Sequence, residues 1–169
     1  MSMYKQFKTD ANLEKAGIDI DYGDFVIKIA RAGGANKRFA RIMEEKMKPV
    51  RRAMQTETLE NARAEALLRE AYADGVVLLW SVLVVADEKG KPLEPVQLAG
   101  TYREEHGKDA EHTTLIKGIE GPSGDVLPFT VENVAATFKA LPDLFTDIRE
   151  QAGKVGLFRE QGQEADAGN

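Results

Sequence analysis

Hydrophobic positions change their period several times along this chain, and each change marks a predicted element. Residues 1–21 hold neither a helical nor a strand period, which predicts an arm with at most one short helical turn. Phe25, Ile27 and Ile29 then alternate with Val26, Lys28 and Ala30, the pattern of a half-buried strand. Gly33-Gly34 supplies a turn that other residues would find strained, and Asn36 suits the N-cap of a following helix. That helix is predicted to run to about Met54. Its apolar stripe is Phe39, Ile42, Met43 and Met47, with Arg38, Arg41, Lys48, Arg51 and Arg52 mainly on other faces and a kink at Pro49.

A second helix is predicted from near Thr56 or Thr58 to about Trp80, with Leu59, Ala62, Ala66 and Ala73 at helical spacing. Its last turn is apolar all round, Val76 through Leu79 and Trp80, which implies deep burial or a partner contact. The β-branched residues at 82–85 fit a strand equally well, and periodicity alone does not separate the two. Residues 87–124 differ in character. Two short clusters, 95–102 and 113–119, resemble strands flanking a charged stretch at 103–111, and Gly and Pro frame the whole. They predict an inserted β-hairpin or loop excursion. Helical order resumes at Thr130, an N-cap with Glu132 in the first turn and Phe129/Val134 as a hydrophobic staple. A last helix opens on Pro142 at its first position, with Leu144, Phe145, Ile148 and Ala152 as its stripe. The expected architecture is a mainly α, small helical domain over 22–160, with one short N-terminal strand, the insertion at 87–124, an arm at 1–21 and a polar tail at 161–169.

Charge sharpens this picture. The 169 residues carry a net charge of −5, but the window from Lys28 to Arg52 holds nine basic residues against Glu44 and Glu45. That window is +7, so the remainder is −12. Such polarity predicts complementary surfaces between subunits, partners or parts of the fold. A basic helix also raises the question of nucleic acid. The sequence pI near 5.2, the lack of interleaved aromatics and the absence of a helix-turn-helix or RNP pattern weigh against it. A hydrophobic fraction of 43% is enough for a core, and no cysteine is present, which excludes disulfide and Cys-metal chemistry. No apolar run approaches the roughly 18 residues of a membrane span, and the first ten residues lack an apolar signal region. A soluble, cytoplasmic-type protein without membrane contact is expected.

Catalytic chemistry finds little to hold. Gly33-Gly34 before a basic helix invites a phosphate loop, yet neither G-x-x-x-x-G-K-[ST] nor G-x-G-x-x-G is present, so a structural turn is favoured. His106 and His112 lie among Glu104, Glu105, Asp109 and Glu111 at spacings that match no zinc or calcium pattern. Ser81 and Ser123 lack a nucleophile-elbow context. The expectation is a non-enzyme with no metal and no cofactor.

The segment GDFVIKIARAGGANKRFAR, the run RRAMQTETLENARAEALLREAYADGVVLLW and the closing DVLPFTVENVAATFKALPDLFTDIREQAGKVGLFRE resemble the tail assembly chaperones of long-tailed, siphovirus-type bacteriophages. Together they cover most of residues 22–160. The resemblance implies a mostly helical protein that binds the tape measure protein, keeps that chain soluble and helps recruit tail tube subunits. It also implies residence in the host bacterial cytoplasm and absence from the mature virion. This chain departs from the family at about 83–120, which is longer than the short turn expected between Trp80 and Pro128. The runner-up is a small structural protein, a tail or connector component retained in the particle. Helix-in-groove recognition suits a chaperone. Its candidate contacts are Val76, Leu79 and Trp80, the stripe Leu144, Phe145 and Ile148, and the basic residues Arg38, Arg41, Arg51 and Arg52, which could equally meet a second copy in a homo-oligomer.

Overall fold

The computed structural model describes residues 2–107 and 111–159. In chain order the elements are α1 (Met3–Phe7), α2 (Ala11–Ala16), β1 (Ile18–Asp21), β2 (Phe25–Ile29), α3 (Lys37–Met47), α4 (Arg51–Gln55), α5 (Asn61–Gly75), β3 (Val77–Ala86), α6 (Ala99–His106), β4 (His112–Lys117), β5 (Ile119–Glu120), β6 (Val126–Leu127), α7 (Val131–Ala140) and α8 (Pro142–Gly153). Short 3-10 turns cover Lys48–Val50 and Val155–Phe158. The former turns the chain at Pro49, where a continuous helix would lose a hydrogen bond.

Four strands form one antiparallel sheet in the order β1-β2-β3-β4, and β5 and β6 make a separate small hairpin. Registry sorts the side chains by face. Ile27 lies opposite Trp80 and Phe25 opposite Val82. Val82 and Val84 are buried on the same side, whereas the intervening Ser81 and Leu83 are only partly covered. The core joins this face to the helices through Phe39 and Ile42 of α3, Ala71 of α5, Val134 and Phe138 of α7, and Ile148 of α8.

This overturns the mainly α expectation. Of the described residues about 51% are helical and 20% lie in strands, so the fold is mixed α/β around a four-stranded sheet. The decisive difference is at 76–86. Helix α5 stops at Gly75, and the apolar run becomes the central strand β3 instead of a buried last turn. Gly75 is tightly enclosed where the helix ends. Its carbonyl accepts from the buried Asn36 Nδ2 at 3.0 Å, and a Cβ there would lie 2.9 Å from the Phe39 ring. The cluster at 113–119 is no excursion, because β4 completes the ladder on β3. Of the cluster at 95–102, Leu98 makes only an isolated bridge to Val84 and residues 99–102 open α6, while residues 18–21 pair with β2 as β1.

The predicted caps form. Asn36 Oδ1 accepts from Phe39 N–H at 3.4 Å, and Thr130 Oγ1 accepts from Asn133 N–H at 3.1 Å. The glycine pair has a further task. Gly34 sits at φ +55, and its turn presents the Ala35 N–H to the Glu14 carboxylate at 2.5 Å. Glu14 is 3% exposed and also accepts from the Thr9 hydroxyl and from Arg31 Nη1. The anion this loop holds is the protein's own.

Candidate functional site

Along α7 two stripes run side by side. Val134 and Phe138 enter the core, while Asn133, Ala136, Thr137 and Ala140, at i, i+3, i+4 and i+7, present a low ridge one face over. Short side chains there leave room above the sheet. The result is a cavity of about 420 Å³ bounded by Phe25 and Trp80 of the sheet, the β5–β6 hairpin through Glu120, Pro122 and Leu127, and Leu141 and Leu144 at the α7–α8 corner. That volume lies within the range of roughly 300–1,000 Å³ typical of ligand sites.

An aromatic ladder builds the floor. Tyr22 stacks on Phe25 at 4.7 Å, Phe25 on Trp80 at 5.9 Å, and Trp80 packs against Phe138 at 6.3 Å between centroids. The Trp80 indole N–H is buried without an acceptor among the described residues. Asn133 and Thr137 are engaged internally, and the exposed Glu120 stands at the edge. Thr137 Oγ1 donates to the Asn133 carbonyl at 2.8 Å, and Asn133 Nδ2 donates to the Pro128 carbonyl at 2.8 Å. Beside the floor, Tyr22 donates its hydroxyl proton to Asp147 at 2.5 Å; burial and that carboxylate push its pKa well above the usual phenol range. The lining therefore offers a largely apolar surface. Chemically it can desolvate an apolar segment.

Of the residues singled out by sequence, Trp80 and Leu144 meet in this groove. Val76, Phe145 and Ile148 are core: Val76 and Ile148 are fully buried, and Phe145 packs between Tyr72 and Phe138. Leu79 is half-buried on β3, one residue out of register with the core face. Arg38 ties α3 to α5 by an ion pair of 2.7 Å to Asp74. Arg41, Arg51 and Arg52 are exposed on α3 and α4 and form no ion pair among the described residues. Sequence reasoning missed Phe25, Leu127 and Leu141 as lining. The small-residue stripe on α7 was the available signal.

His106 stacks on Tyr102 at 4.4 Å, and His112 is exposed on β4; Asp109 lies outside the described residues. Among the described residues no group of three His, Cys, Asp or Glu side chains is placed to hold a metal. Nor is any helix among them long and apolar enough to cross a membrane.

Residues 96–169 match the model of the YdaY prophage protein family. The match spans less than half of the chain and takes in the hairpin, α7 and α8 that wall the groove. No curated protein and no solved structure matches the chain. The family match marks this as a phage-related protein.

Proposed function

We propose that this protein is a non-enzymatic tail assembly chaperone, and that its groove shelters apolar segments of the phage's tape measure protein before the tail tube closes around it. The observation that carries this reading is the groove itself, an open apolar trough floored by Phe25 and Trp80, in which the polar side chains of Asn133 and Thr137 are already hydrogen-bonded within the protein. Such a surface suits transient cover for an amphipathic helix, which lays its apolar face into a groove of this kind. Phage relationship and the resemblance of the 23–41, 51–80 and 125–160 strings to tail assembly chaperones support the same reading. The exposed arginines Arg41, Arg51 and Arg52 lie away from the groove lining and are free to meet an acidic tail tube subunit. On this proposal the protein works in the host cytoplasm and is left out of the finished particle.

Co-expression with the tape measure protein of the same genome tests it. The expected result is a larger soluble fraction of that protein, lost when Leu144→Glu is introduced into the groove. Unchanged solubility with the wild-type chain would overturn the chaperone reading. Mass spectrometry of purified particles gives a second arm, since stoichiometric recovery of this chain would identify a structural tail or connector component instead.

A further inference from the structure

Helix α1 carries an apolar face that no described residue covers. Met3 and Phe7 are one turn apart, with Tyr4 beside them, and the three are 67%, 68% and 76% exposed. The groove is the matching vacancy, with Leu141 at its rim 52% exposed. Within one chain the segment that carries α1 is anchored at the end of α8 away from the groove. Asp10 N–H donates to the Phe158 carbonyl at 2.7 Å, Arg31 N–H to the Glu14 carbonyl at 3.0 Å, and Ala32 N–H to the Ala152 carbonyl at 2.9 Å. These bonds hold α2 at the C-terminal end of α8, whereas Leu141 and Leu144 sit at its N-terminal end. Twelve helical residues span about 18 Å. In the structure Met3, Tyr4 and Phe7 stand exposed, so α1 does not occupy its own groove.

We propose that α1 of one copy docks into the groove of a second copy, placing Met3, Tyr4 and Phe7 over Phe25, Trp80 and Leu144. This rests on reading the groove as a docking site for apolar helices. Charge agrees with the pairing: Lys5 projects from α1, while Glu120 lines the groove and the exposed Asp143 adjoins Leu144. Because donor helix and acceptor groove are distinct surfaces of the molecule, the contact is head-to-tail and propagates from copy to copy. It also makes α1 a stand-in for a client. Free protein shields its groove by self-association, and an apolar client helix releases copies by competing for the same trough.

Two exposed-site variants test this by sedimentation. Met3→Ser/Phe7→Ser removes the donor and Leu141→Arg blocks the acceptor; both alter exposed side chains, so folding is retained. The wild type should associate with rising concentration, each variant alone should stay monomeric, and an equimolar mixture should form a one-to-one pair, since each supplies what the other lacks. A synthetic peptide of residues 2–9 should shift the emission of Trp80, the single tryptophan, and Leu141→Arg should weaken that binding by about tenfold or more. A monomeric wild type at every concentration, variants that associate as the wild type does, or a mixture that stays monomeric would overturn the proposal. The donor variant separates this idea from the chaperone reading. If it still solubilises the tape measure protein, client binding stands whatever the sedimentation shows; if association follows the pattern above without any solubilisation, only the chaperone reading fails.

Discussion

Glu14 shows how a single side chain organises the N-terminal region around itself. Burial pushes its carboxyl up, but hydrogen bonds from the Thr9 hydroxyl and the Ala35 N–H, together with the Arg31 guanidinium, outweigh that and hold it below its ordinary value of 4.5. A carboxyl lowered on folding contributes stability that is fully present above the unfolded value and is lost as pH falls through the native one. Urea unfolding should therefore show stability declining below about pH 4.5, and Glu14→Gln should flatten that decline while lowering stability at neutral pH. Gly34→Ala is expected to cost about 1–3 kcal/mol, because the residue sits at φ +55 and a Cβ there would overlap Glu14 Oε2. Denaturant midpoints of the two variants measure both effects.

At the scale of elements, α8 separates packing from recognition within one helix. Ile148 is fully buried and Leu144 lines the groove. Ile148→Ala should cost about 2–5 kcal/mol, the usual loss for emptying a core site, with client binding reduced only through stability. Leu144→Ala should cost distinctly less in thermal unfolding yet weaken client or peptide binding, read from Trp80 emission. The basic helices make a third case. Arg41→Glu, Arg51→Glu and Arg52→Glu change exposed positions and should each leave stability within about 0.5 kcal/mol. Arg38→Glu should cost more, because it breaks the tie to Asp74 between α3 and α5. The four arginines look alike in sequence; among the described residues only Arg38 has an acidic neighbour brought to it by the fold.

For the molecule as a whole, much was legible locally. Asn36, Thr130 and Pro142 start their helices as predicted, Pro49 turns the chain, and the alternation at 25–29 is a strand. These features depend on backbone chemistry within a few residues, so the sequence carries them in full view. Long-range pairing decided the rest. An apolar run such as 76–86 is equally content inside a helix bundle or a sheet, and only β2 and β4 arriving on either side make it a strand. That one decision turns a mainly α expectation into a mixed α/β fold and places Trp80 on the face that floors the groove. The site followed the same division. Trp80 and Leu144 were visible as apolar residues in suspicious places, but Phe25, Leu127 and Leu141 join them only because a sheet, a hairpin and a helix corner converge. Charge follows from composition, and caps, kinks and turns from short-range sterics and hydrogen bonding, so all of these are present in the chain before it folds. The tertiary structure alone decided which apolar residues are core and which are left as an open trough, because burial belongs to the assembled surface and not to any segment of it.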